Sequence, residues 1–205
     1  MKLHWSPRSP FVRKVMIVLH ETGQADTVSL IRSVVAMHAP NRALMHDNPL
    51  SKLPTLVLDD GTALFDSPVI CEYLDTLQDG EKLFPRDAGR RFEALRWQAF
   101  GDGVLDLLVL WRNELNRLSE ARSAPHLAAF EEKAEASFDR LDREAARLRS
   151  APFCIGHVAV GCALSYADFR FPERPWRGAR PALAAWHGEF AARPSVRATE
   201  PNDDG

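Results

Sequence analysis

Two serine–proline pairs, Ser9-Pro10 and Ser67-Pro68, stand where helices are expected to begin. Serine accepts a hydrogen bond well at an N-cap, and proline's fixed φ and missing N–H suit the first helical turn. A serine so placed can be a cap and nothing more. The same helix end also attracts anions, because its first amides are unpaired and its dipole is positive there. In a small α/β domain helix N-termini follow strand ends, so two of them can face one crevice. Such a crevice suits a ligand that carries a carboxylate and an ionisable thiol. Lys52-Leu53-Pro54 precedes an apolar run. Its proline cannot donate to a ladder and belongs at a strand's first position or in a turn. A cis bond does not follow from Pro54 alone, since only about 5–6% of X-Pro bonds are cis in folded proteins. Asp66, next to Ser67, can pair with an ammonium group or simply favour the dipole of the following helix.

The elements that must position these residues change character near residue 80. Before it they are short and mixed. Residues 2–5 read as a strand, and 11–21 as a helix with apolar residues at Phe11, Val15, Val18 and Leu19. Gly23 follows where a helix stop is expected. Residues 27–31 read as a second strand, and the polar interval 37–49 has room for a short irregular helix. Two apolar runs, 55–58 and 63–65, flank Asp59-Asp60-Gly61-Thr62, which is hairpin chemistry. A helix then opens at Ser67-Pro68. The order β-α-β-α-β-β-α predicts a small mixed four-stranded sheet covered by helices.

Residues 80–87 read as a linker, after which strand signals nearly vanish. Leu127, Phe130, Ala134, Phe138, Leu141, Ala145 and Leu148 form a stripe at three- and four-residue steps, the mark of a long amphipathic helix. Residues 90–118 read as another. Its dense apolar stretch, 104–111, is expected to pack on several sides, and Gly101-Asp102-Gly103 suggests a bend or a close helix approach. Further helices are expected from Ser165 and over 181–192. The polar tail, 199–205, is expected to fray.

Composition excludes more than it names. The chain has 205 residues, with 26 Lys and Arg against 28 Asp and Glu, a formal net charge of −2. Before residue 80 there are 7 basic and 9 acidic residues, and after it 19 of each. Neither half carries the field of a nucleic-acid or acidic-membrane binder. Cys71, Cys154 and Cys162 form no CxxC and no zinc spacing, so they read as small buried hydrophobes and no metal is expected. That usage points to a reducing compartment and a cytoplasmic protein. No apolar run is near the length of a membrane span, and Lys2, His4, Arg8 and Arg13 interrupt any signal sequence.

Taken in order, three stretches carry a resemblance. They are Ser9-Pro10-Phe11-Val12-Arg13-Lys14-Val15, then Asn48-Pro49-Leu50-Ser51-Lys52-Leu53-Pro54-Thr55-Leu56, then Leu64-Phe65-Asp66-Ser67-Pro68-Val69-Ile70. Together they resemble the glutathione S-transferase superfamily, in its bacterial, serine-type form. In the second half, Leu164-Ser165-Tyr166-Ala167-Asp168-Phe169 resembles the family's capping box with hydrophobic staple. Ser165 would cap a helix there and Asp168 would reach back to it. Arg193-Pro194-Ser195 is similar to the family's late helix ending. The match spans about residues 1–197.

The resemblance implies a thioredoxin-like glutathione-binding domain over 1–79, a linker over 80–87, and an all-helical domain with the electrophile site over 88–205. A homodimer with a detoxifying activity is also implied. Ser9 takes the place of the serine that donates to the glutathione thiolate, with Ser6 as its competitor. Pro54 matches the family's cis-proline, and the Leu53 backbone would pair with the cysteinyl part of glutathione. Asp66 and Ser67 match the acid–serine pair that holds the γ-glutamyl ammonium and carboxylate, and Lys52 is a partner for the glycyl carboxylate. Leu107 and Trp111 are candidates for the electrophile site, though both also read as bundle core. No cysteine precedes Cys71, so chemistry through a mixed disulfide on the protein is not expected, and CxxC-type redox exchange is weaker still. His157 falls where many members carry an acid and reads as a surface or packed histidine. An alternative on the same fold is a catalytically silent module that binds glutathione or another protein.

Overall fold

Lys2–Trp5 (β1) forms the centre of a four-stranded sheet ordered β2-β1-β3-β4. Ser29–Arg32 (β2) pairs with it in parallel, and Thr55–Val57 (β3) pairs antiparallel on its other side. Ala63–Leu64 (β4) completes the sheet as a hairpin with β3. In the hairpin, Gly61 takes φ +88° and Asp60 Oδ1 accepts from Thr62 N at 2.8 Å, as the Asp-Asp-Gly-Thr sequence predicts. The order is the expected thioredoxin-like β-α-β-α-β-β-α, with Pro10–Glu21 (α1), Arg42–Met45 (α2) and Ser67–Thr76 (α3) as its helices. The computed structural model describes residues 1–203, so the end of the tail expected to fray, 204 and 205, lies outside the described residues.

Helix α1 is more deeply buried than its sequence stripe predicts. Val12, Arg13, Lys14, Val15, Ile17, Val18 and Leu19 are all buried, because α1 packs against α3 and also against a final short helix, Pro194–Arg197. That late segment is pinned by its own polar contacts. Arg13 Nη2 donates to Val196 O at 3.3 Å, and Ser195 Oγ donates to the Glu21 carboxylate. Thr199 Oγ1 donates to Ser195 O at 2.9 Å, so the first residue of the tail is held rather than frayed.

The chain divides into two compact units, Met1–Arg91 together with the segment from Pro194 onward, and Phe92–Arg193. The division therefore falls after Arg91, beyond the segment 80–87. That segment is tied to α3, since Asp75, buried in that helix, accepts from Leu83 N at 2.9 Å and Phe84 N at 3.1 Å.

The second unit is helical. It holds most of Ala88–Leu115 (α4), then Ala124–Ser150 (α5), Ile155–Arg170 (α6) and Pro181–Ala191 (α7), with Pro194–Arg197 (α8) returning to the first unit. On α5 the predicted stripe is buried from Ala134 to Leu148. On α4 the apolar stretch buries one face, at Val104, Leu105, Leu108 and Trp111, while Leu110 is exposed. Its expected packing on several sides does not occur. Gly101 marks a close helix approach, because a Cβ there would lie 2.6 Å from the carbonyl carbon of Ala159 in α6.

One helix start differs from the sequence reading. Ser165 lies inside α6, where its hydroxyl meets His187 Nε2 at 2.9 Å, and Asp168 accepts from Trp176 Nε1 at 2.9 Å. The helix begins ten residues earlier, since the apolar run 155–164 is buried and needs no break. Its cap is Cys154 with His157: Cys154 N donates to His157 Nδ1 at 3.2 Å, and Nε2 lies 2.8 Å from Leu148 O. The ring therefore carries its proton on Nε2 and accepts at Nδ1.

Candidate functional site

Strand register brings the sequence-predicted residues of the first unit to one end of its sheet. His4, near the end of β1, pairs with Thr55, the first residue of β3, and Leu56 pairs with Leu64 near the end of β4. So the exit of β1 into α1, the entry to β3 and the exit of β4 into α3 share that end. Ser9, Lys52-Leu53-Pro54 and Asp66-Ser67 occupy these three positions.

Ser9 is the N-cap of α1, with extended backbone, and its Oγ accepts from Val12 N at 3.3 Å. Because that bond uses a lone pair, the serine keeps its own proton for an acceptor outside the helix. It is half-buried and reachable. Ser6 is buried, and its Oγ accepts from Arg8 N at 3.4 Å inside the turn before α1. Leu53 packs with Val12 and Leu44 in a small core to which Trp5 and Met16 add. The Leu53–Pro54 bond is cis. Lys52 is exposed, and its carbonyl accepts from Thr55 Oγ1 at 3.0 Å.

Asn48 arranges this turn, a role the sequence reading did not assign. It is buried, donates from Nδ2 to Thr55 Oγ1 at 2.9 Å, and accepts from Leu50 N at 3.0 Å. The signal was present in Asn48-Pro49, since asparagine bonds its own backbone two residues on.

Asp66, rather than Ser67, takes the N-cap position of α3. Its extended backbone and the bond from Ile70 N to its carbonyl at 3.1 Å start the helix one residue earlier than expected. The Asp66 carboxylate makes no capping bond and is exposed. Ser67 is the first helical residue, so its N–H is one of the amides without an intrahelical acceptor. Its Oγ lies 3.2 Å from Lys14 Nζ, and both side chains are buried. Lys14 was missed because a lysine in an amphipathic helix is read as solvent-facing.

In the helical unit, Leu107 is half-buried and Trp111 is buried, stacked on Phe171 at 4.8 Å with the Arg174 guanidinium 5.0 Å from its ring. Trp111 thus has the packing of a core residue. Polar groups in this unit are held by one another. Arg180, buried, reaches Glu135 and Asp139, each at 2.7 Å. Burial works against ionisation of Glu144, yet bonds from Arg96, Trp97 and Arg140 overcome it and hold the carboxyl at about 2. Burial also pushes the Cys154 thiol up and the His157 imidazole down. A thiol so placed is inert, which fits the reading of the three cysteines as buried free thiols. Among the described residues no cluster suits a metal ion, and no helix is long and apolar enough to cross a membrane.

Comparison with known proteins agrees with this architecture. Residues 8–77 match the model of the glutathione S-transferase N-terminal domain, and residues 124–189 that of the C-terminal domain. The uncharacterised GST-like protein YibF of Escherichia coli (strain K12) is 31% identical over 203 residues, 98% of each chain. A glutathione transferase family member from Pseudomonas fluorescens Pf-5, crystallised with bound glutathione, is 44% identical. It superposes with a TM-score of 0.95 over 98% of this chain and 99% of its own. A structure from the same organism with bound S-(propanoic acid)-glutathione is 42% identical, with a TM-score of 0.91 over the same shares. With two family domains in order and relatives matched along nearly their whole length, this chain belongs to the glutathione S-transferase superfamily and is, by family, a glutathione transferase.

Proposed function

We propose that this protein binds glutathione at the sheet end of its first unit and activates the thiol through the Ser9 hydroxyl. The observation that carries this reading is the Ser9 geometry: its oxygen accepts from Val12 N, leaving its proton for an anion at the positive end of α1. A free thiol ionises near pH 8.5, so only a few per cent is thiolate at neutral pH. A hydroxyl donor and a helix N-terminus favour the anion, and each unit by which the pKa falls is worth about 1.4 kcal/mol. The thiolate then attacks a small electrophile by conjugation, or reduces one.

Around the sulfur, the Leu53 backbone pairs with the cysteinyl part of glutathione, and Pro54 shapes that approach. Asp66 receives the γ-glutamyl ammonium and Ser67 its carboxylate, while exposed Lys52 meets the glycyl carboxylate. Two related structures crystallised with glutathione or a glutathione conjugate support the ligand. In the helical unit we keep Leu107 and Trp111 as electrophile contacts, with Leu107 the stronger because Trp111 is packed. We further expect a cytoplasmic homodimer, in line with three free thiols and with exposed apolar Leu50, Phe65 and Val69 on the first unit. Light scattering at twice the mass of the 23.0 kDa chain would support the dimer.

Replacing Ser9 by alanine tests the central claim. In Ser9→Ala, the ultraviolet thiolate band of bound glutathione should titrate at a higher pH, moving toward about 8.5, while glutathione affinity stays largely intact. An unchanged titration would remove Ser9 from the mechanism, and the same measurement on Ser6→Ala would then assign the hydroxyl.

A further inference from the structure

Lys14 is fully buried on the face of α1 that packs against α3, and its Nζ lies 3.2 Å from Ser67 Oγ. A lysine ammonium has three donors and no acceptor, so in this pair the serine oxygen accepts. Ser67 keeps one proton of its own and must direct it away from the ammonium. The placement is electrostatically costly in two ways. Burying a charged amine forfeits its hydration, and Lys14 stands beside the N-terminal end of α3, where the helix is already positive. That helix has no acidic residue in its first turn, and its N-cap Asp66 does not use its carboxylate to cap it. A buried cation, the first amides of a helix and an outward-turned hydroxyl therefore converge at Ser67. A bound carboxylate satisfies all three at once.

We propose that Lys14 is a positioning residue for the ligand carboxylate: it fixes Ser67 as a hydroxyl donor and sets positive charge behind the N-terminus of α3. This rests on the reading that this end of α3 holds the γ-glutamyl carboxylate of glutathione, and it extends that reading to specificity. Peptide thiols that lack the α-carboxylate leave a buried charge and a committed donor unanswered, so the site rejects them.

The test is calorimetric titration of the full chain with two probes. One is glutathione, and the other is 4-aminobutyryl-Cys-Gly, which keeps the amine and lacks the α-carboxylate. The unaltered protein is expected to prefer glutathione by about tenfold or more. Lys14→Met keeps a long unbranched stem without the charge. It is expected to weaken glutathione by about ten- to a hundredfold and leave the analogue nearly unchanged, so the preference collapses. If the unaltered protein binds both probes equally, the carboxylate assignment itself falls. If it discriminates and Lys14→Met keeps the full ratio, or weakens both probes alike as loss of a mere strut would, the role of Lys14 falls and the site stands. Should Lys14→Met fail to fold, Lys14→Gln, which still donates but carries no charge, is read by the same ratio. A reduced preference there supports the proposal, and an unchanged one overturns it.

Discussion

In the first unit Ser9, Lys52, Asp66 and Ser67 sit at the ends of secondary structure elements, where backbone amides are unpaired and side chains keep bonding capacity in reserve. In the helical unit the conspicuous polar groups, Arg180, Glu144 and His157, lie in or along helices and are used up by their neighbours. The contrast teaches how to tell a structural polar residue from one held for a ligand. Arg180 donates to Asp139, Glu135 and the Trp176 carbonyl, so little of its guanidinium remains for anything else. Ser67, by comparison, has accepted from Lys14 and still holds a proton and an N–H. The helical unit spends its polar groups on its own stability, while the sheet unit keeps them at one end.

Breaking that comparison should hurt the helical unit most in stability. Arg180→Ala removes a buried cation from two acids that are themselves half-exposed, so the acids are not stranded. A loss of about 3 kcal/mol is expected in urea unfolding, near the low end for disrupting a buried pair. A loss under about 1 kcal/mol would mean the triad is only a surface bridge. In the sheet unit the corresponding lesion should appear in ligand affinity. Ser67→Ala is expected to weaken glutathione by about 1–2 kcal/mol, and equal affinity by calorimetry would refute its assignment.

The smallest effect concerns the cap of α6. Burial, with Arg193 nearby, makes folded His157 harder to protonate than the ordinary histidine at 6.5. The unfolded chain therefore takes up the proton first. The stability contributed by the neutral ring is present above about pH 6.5 and is lost as pH falls through the lower folded value. A protonated Nδ1 can no longer accept from Cys154 N, which undoes the cap. Urea midpoints between about pH 7.5 and 5.5 should fall less steeply in His157→Gln than in the unaltered protein, and identical slopes would sink this role. Glu144 does not confuse this window, because a carboxyl held at about 2 loses its contribution only below its ordinary 4.5.

Much of this was legible before any coordinates. Gly61 and Asp60 announce their turn through chemistry that few other residues supply, and Pro10 after Ser9 announces a helix start. The α5 stripe follows from periodicity alone. Less legible were features that depend on a second segment. Ser165-x-x-Asp168 has the spacing of a capping box, but that spacing also occurs inside a helix whose start lies upstream. The true cap uses cysteine and histidine, whose side chains seldom signal one. The Ser67 position shifted by a single residue, because backbone conformation at Asp66 decides where α3 begins.

The sequence by itself determined the element order, the two classes of structure along the chain, and which short stretches could meet an anion or a thiol. Those properties are local, resting on periodicity, turn chemistry and the bonding habits of serine and proline. Tertiary structure alone decided that strand register gathers three distant stretches at one end of a sheet, and that Pro194–Arg197 returns to α1. It alone made Lys14 a buried neighbour of Ser67, 53 residues away in the chain. The physical reason is that burial and charge are properties of an environment, and an environment exists only once separate segments have packed.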